Sequence, residues 1–179
     1  MKIDLINLLQ KREDDTFQLG MTLNKFATYC RPPKAWTFPW THPFGGSIDY
    51  GDLSLHVYMD GGDLILNSLN VNMYDVVFDD DDEAKYVPKM HQIFSRACSV
   101  EMKQFVPGLT ISQVESILDG YQFTFRRFGD VRATEIGAHI VVEEFAIFNF
   151  YREAVNPWLM SVNIFHPSHI AWPVSEGWK

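Results

Sequence analysis

The stretch from Ile48 to Asn72, IDYGDLSLHVYMDGGDLILNSLNVN, sets the strongest limit on what this chain can fold into. Leu53, Leu55 and Val57 alternate with Ser54, His56 and Tyr58. A period of two places the apolar side chains on one face of a strand. Asp60-Gly61-Gly62-Asp63 then supplies two residues that accept positive φ, which is hairpin-turn chemistry. LILNSLNVNMY reads as the partner strand, and the alternating run from Ile48 to Met59 reads as strand throughout. Such a hairpin has one apolar face, and that face needs a second layer.

Helical signals supply the layer. Ile3, Ile6 and Leu9 recur at helical spacing and predict a first helix over 2–13. Thr22 is an N-cap for a short helix carrying Leu23, Phe26, Ala27 and Cys30, ended by Pro32 and Pro33. Pro88, Ile93, Phe94, Ala97, Cys98 and Met102 predict a third helix reaching about Gln104. Thr110 with Gln113 forms a capping box for a fourth, with Ile111, Val114, Ile117 and Leu118 on its apolar face and Gly120 as its stop. After it, YQFTFRRF, EIGAHIVVEEFAIFNFYR and WLMSVNIFHP read as strands.

These signals come twice. FQLGMT at 17–22 and FVPGLT at 105–110 share Phe, Gly, an apolar residue and Thr at the same spacing. IDYGDLSLHV is matched with TEIGAHIVV, each with a Gly entering an apolar run, and SLNVN at 68–72 with SVNIF at 161–165. The agreement in the order of elements predicts an α+β protein of two tandem helix-helix-antiparallel-sheet units, 1–82 and 83–179, packed as one globule. Joining their sheets edge to edge would cover exposed edges and leave a broad outer surface.

The 179 residues carry a formal net charge of −8, which disfavours binding to nucleic acid or to an anionic membrane; it allows a basic protein partner, though an ordinary acidic, soluble protein is the plainer reading. The N-terminal stretch lacks the apolar core and cleavage site of a signal peptide, and no apolar run is long enough to span a membrane. Cys30 and Cys98 make no metal spacing and read as buried free thiols in a reducing cytoplasm.

No catalytic set stands out. His56 and His139 fall in matching strands and are conceivable as a metal pair, but polar positions on a sheet face are the plainer reading. His166-Pro-Ser-His169 would need further ligands. Glu143 and Glu144 are neighbours on a strand and point to opposite faces. Asp79–Glu83 lacks the spacing of a calcium loop and reads as solvated. No catalytic, cofactor or metal residue is therefore expected. The candidate surface is instead the aromatic, proline-spaced stretch with Trp36, Phe38, Trp40 and Phe44, which reads as a loop or irregular edge. Where exposed, Trp-rich clusters anchor protein partners; folding back over the sheet to close the core is the other reading. Asp49, Asp52, Asp60 and Asp63, expected around one hairpin, would steer a basic partner toward it.

Two resemblances bear on function. The Gly-apolar-Thr turn opening a short helix ahead of antiparallel strands resembles the module of the bacterial outer-membrane assembly lipoprotein family, found in tandem in the beta-lactamase inhibitor protein family. YGDLSLHVYMDGGDLILNSLNV resembles the YGDLE(F/L)HF hairpin of small bacterial proteins encoded beside polymorphic toxins as their immunity proteins, with Ser54 replacing the usual acidic residue. The lipoprotein role is disfavoured by the missing lipobox Cys. The resemblance implies a cytoplasmic, non-enzymatic immunity protein that binds a cognate toxin, for instance a basic nuclease, and neutralises it by contact. The alternatives are an adaptor or scaffold for another protein and, third, an enzyme with an unrecognised site. An uncovered hairpin edge would also allow a homodimer.

Overall fold

The computed structural model describes residues 1–11, 13–14, 16–31, 45–78, 84–129, 136–151 and 156–166. The fold is α+β. Its first part contains β1 (Lys2–Asp4), α1 (Leu5–Lys11), β2 (Glu13–Asp14), β3 (Phe17–Gln18), α2 (Leu23–Tyr29), β4 (Gly45–Tyr50), β5 (Leu53–Asp60), β6 (Asp63–Asn72) and β7 (Tyr74–Phe78). There follow β8 (Ala84–Pro88), β9 (Ser99–Glu101), α3 (Ile111–Gly120), β10 (Phe125–Gly129), β11 (Ile136–Val142), β12 (Ala146–Tyr151) and β13 (Leu159–Phe165).

One antiparallel sheet of seven strands, ordered β10-β11-β12-β13-β6-β5-β4, dominates. Strands from early and late in the chain meet at β6 and β13, with Val71 opposite Val162, Asn70 opposite Asn163 and Leu69 opposite Ile164. The sheet is thus continuous between the two parts of the chain. One face, with Ile48, Leu55, Leu69, Phe148 and Val162 on it, belongs to the same core as Leu5, Leu9, Phe26, Val114 and Leu118 of the three helices. Phe26 meets Tyr50 edge-on at 6.3 Å, and Phe105 meets Phe148 at 5.0 Å.

Local chemistry explains where the helices begin. The Asp4 carboxylate accepts from the Ile6 and Asn7 N–H groups, so α1 starts at Leu5 and Lys2–Asp4 is free to pair in parallel with β9. The helix expected over 2–13 is correspondingly shorter. Thr22 and Thr110 cap α2 and α3 as anticipated, the latter with its capping box. Both Thr residues follow a Gly with positive φ, 90° at Gly20 and 85° at Gly108.

The two halves of the sheet repeat several details. The Leu66 N–H donates to the Met21 carbonyl at 3.0 Å, and the Leu159 N–H donates to the Leu109 carbonyl at 2.7 Å. Thr22 bridges Ile65 just as Thr110 bridges Trp158. A register shift between His56 and Val57 against β6 recurs between Asn149 and Phe150 against β13, 93 positions later in each case.

Three expectations are corrected. The helix predicted from Pro88 to Gln104 does not form. Pro88 ends β8, the Ile93 carbonyl accepts from the Asp52 N–H, and the Ser95 N–H donates to the Tyr50 carbonyl. Backbone groups a helix would need are bound to the β4–β5 turn, and Ser99–Glu101 pairs with β1. The run from Ile48 to Met59 is not one strand: Gly51, with φ of 74°, breaks it into a second hairpin. Glu143 and Glu144 are not on a strand but in the β11–β12 turn, both at positive φ. The Gly matched between IDYGDLSLHV and TEIGAHIVV therefore occupies different places, a turn at Gly51 and strand β11 at Gly137.

Candidate functional site

The β5–β6 hairpin ends in Gly61 and Gly62, with φ of 57° and 95°, and sets Asp60 opposite Asp63. Both carboxylates are exposed. Like charges directly opposite one another cost the hairpin a few tenths of a kcal/mol. Beside them Met59 is 47% exposed. Asp63 and Leu64 also line a depression of about 190 Å³ against Thr22, Leu23 and Asn24 at the start of α2. That is below the roughly 300–1,000 Å³ of a small-molecule pocket.

The four predicted Asp residues do not gather at one hairpin. Asp49 and Asp52 lie at the β4–β5 turn, at the other end of β5, roughly 20 Å or more from Asp60 at 3.3 Å per residue. The Asp49 carboxylate accepts from the Ser54 hydroxyl at 2.6 Å. Asp52 is buried: its carboxylate takes the Lys89 ammonium at 2.6 Å and the Ile93 N–H at 2.7 Å. Burial works against the Lys89 ammonium, but hydrogen bonds to Asp52 and Asp75 outweigh it and hold its pKa above the usual value. Asp52 fastens the 89–95 segment to the sheet and is not a surface group.

Trp36, Phe38, Trp40 and Phe44 lie outside the described residues, as do Asp79–Glu83, His169 and the C-terminal stretch. The residue that follows Phe44 is nonetheless placed. Gly45 opens the edge strand β4 and faces Tyr58, two positions from Asp60. Gly45, which follows the aromatic stretch in the sequence, therefore lies at the same end of the sheet as the Asp60–Asp63 tip.

The face of the sheet turned away from the helices is polar over β4, β5 and β6, where Ser47, His56 and Ser68 form one cross-strand row and Asp49, Ser54 and Asn70 another. Across β11 to β13 it is buried. There the His139 Nδ1 lies 2.7 Å from the Asn149 Oδ1, and the Asn149 Nδ2 donates to the Ser161 Oγ at 2.9 Å. Because that amide donates to Ser161, its oxygen accepts from Nδ1–H, which fixes the tautomer. Burial, working against the Asn149 hydrogen bond, lowers the His139 pKa and keeps the ring neutral at pH 7. The row does not make a Ser-His nucleophile, since an amide separates hydroxyl from imidazole and cannot pass a proton between them. His56 and His139 do not face each other: β6, β13 and β12 stand between their strands, about 19 Å at 4.8 Å per strand.

Among the described residues no group of three or more His, Cys, Asp or Glu side chains could hold a metal ion, and no helix is long and apolar enough to cross a membrane. The chain matches no protein-family model, no curated protein and no solved structure.

Proposed function

We propose that this chain is an immunity protein that binds a cognate bacterial toxin domain and neutralises it by contact, without chemistry of its own. One observation carries the reading: the acidic Asp60–Asp63 tip, the exposed Met59 and Gly45, the residue that follows the aromatic stretch in the sequence, lie at one end of the sheet. Two opposed carboxylates weaken their own hairpin, so a cationic partner accounts for the pair better than folding does. Asp49 and Asp52 play no part in this surface.

The tandem-unit reading belongs to the same proposal in altered form. The matched Gly-apolar-Thr turns, the matched backbone bonds and the register shifts 93 positions apart support two units of α2-β4-β5-β6 and α3-β11-β12-β13 type. In such a unit a single capped helix, rather than a helix pair, precedes the strands.

The test begins with co-expression. The chain is produced with the product of the adjacent gene, and growth rescue and complex formation are measured. Absence of both rejects the proposal. With a complex in hand, D60K/D63K should slow association by about tenfold or more at low salt and flatten its salt dependence, with stability shifted by less than about 0.5 kcal/mol. Unchanged association rates would remove the acidic tip from the interface.

A further inference from the structure

β7 and β8 form a two-stranded ribbon apart from the main sheet. Tyr74 and Tyr86 seat it against Tyr151, Trp158 and Met160, with Tyr86 meeting Tyr151 at 5.5 Å. The rest of β7 is open: Val76 and Val77 are each 44% exposed and Phe78 is 69% exposed. A ribbon of two strands is marginal in water until further strands join it.

The two edges of the ribbon differ. The Lys89 N–H donates to the Met73 carbonyl at 3.0 Å, one step beyond the Tyr74–Pro88 pair. Bonded and non-bonded pairs alternate along an antiparallel ladder, so Asp75 exchanges bonds with Val87, and Val77 with Lys85. The backbone N–H and C=O of Val76 and Phe78 therefore point away from β8, and no other described residue bonds them. On β8 the same alternation turns Pro88 outward, where it has no N–H to offer, and Lys85 adds an exposed charge. Proline and lysine are what protect an edge strand from pairing. β7, Tyr-Asp-Val-Val-Phe, has neither.

We propose that the β7 edge pairs two copies of this chain, antiparallel about a twofold axis at Val76, into one sheet ordered β8-β7-β7-β8. The two Val76 residues exchange N–H···O=C bonds, and Phe78 falls opposite Tyr74 of the second copy. Asp75, the charged residue of β7, falls opposite Val77. An axis at Asp75 would set that carboxylate against itself, and one at Val77 would set it against Asp79, so charge selects Val76. The contact is isologous and Pro88 guards the outer edge, so assembly stops at the dimer. The Asp60–Asp63 tip lies at the start of β6 whereas β7 follows its end, so this inference stands apart from the immunity reading.

The test is sedimentation velocity of the full chain between about 5 and 500 µM, where a short edge should give a reversible dimer with a Kd of about 10–100 µM. Val76→Pro removes the outward N–H without taking a bond from the β7–β8 ladder, and should weaken the dimer about tenfold or more. Val76→Lys and Val76→Glu should each be monomeric, because residue 76 faces itself, and their equimolar mixture should regain a dimer with one copy of each. Amide exchange of the wild-type chain decides the matter even where a variant does not fold. The Val76 and Phe78 N–H groups should slow with rising concentration, and by more than that of Val77, which is already bonded to β8. A chain that stays monomeric, whether or not a foreign extended peptide binds along β7, would overturn the proposal. So would a dimer that these substitutions leave unchanged, or a Val76 amide whose exchange ignores concentration.

Discussion

Asp52 stands where three segments meet: the β4–β5 turn, Lys89 after β8, and the Ile93 backbone. Its main-chain carbonyl also accepts from the Asn72 N–H at 2.8 Å, tying in the end of β6. Removing the carboxylate would leave the Lys89 ammonium, only 11% exposed, with Asp75 alone, and the Ile93 N–H without its acceptor. Loss of one partner of a buried pair is expensive because the other remains desolvated. Asp52→Ala should destabilise the protein by about 3 kcal/mol in urea unfolding, whereas Asp75→Ala, whose side chain is 56% exposed, should cost under about 1 kcal/mol. Equal costs for the two would contradict the assignment of Asp52 as the fastening group. Nothing in the sequence near Asp52 distinguishes it from Asp49, Asp60 or Asp63. Its partners lie 37 and 41 positions away, so its role depends on contacts that local pattern does not encode.

Elements were legible where their determinants are local. Thr22, Thr110 with Gln113, and the Asp60–Asp63 turn carry caps and turn residues within a few positions of what they specify, and all three behave as read. The turn that carries Asp60 and Asp63 was therefore legible, whereas the expected grouping of Asp49 and Asp52 with it was not, since they lie at the other end of β5. The Pro88–Gln104 segment misled because apolar residues at helical spacing fit an extended chain equally well when its backbone is claimed elsewhere. The turn at Gly51 has a local signal: the apolar positions pass from even (Ile48, Tyr50) to odd (Leu53, Leu55, Val57) there, a phase change that an unbroken strand does not allow. The two kinds of Gly turn can be told apart by substitution. Gly51 and Gly61 both have positive φ, but a Cβ at Gly51 would collide with the Ile93 carbonyl oxygen, while at Gly61 it would meet nothing. Gly61→Ala should cost about 1 kcal/mol from backbone strain alone. Gly51→Ala should cost about 3 kcal/mol or more and, by displacing Ile93, should speed hydrogen exchange at Ser95 and Ile93 first. A Gly51→Ala penalty no larger than that of Gly61→Ala would mean that the 89–95 segment yields freely.

At the scale of the whole molecule, the seam between β6 and β13 decides whether the two parts of the chain are independent. Leu69, Val71, Val162 and Ile164 are fully buried along it. At roughly 1.5–3 kcal/mol for each buried aliphatic side chain, opening the seam would forfeit roughly 6–12 kcal/mol. That matches the roughly 5–15 kcal/mol by which a whole domain is stable. The seam is not the only tie. β1 pairs with β9, Phe94 bridges Gly51, and Lys89 neutralises Asp52, so each part completes the other at several places. Fragments 1–82 and 83–179 should therefore each lack a cooperative thermal transition by circular dichroism, while an equimolar mixture regains one. A cooperative transition in either fragment alone would show that it holds a self-sufficient core. The seam would then join two finished domains, and the acidic tip could be studied on the first fragment by itself.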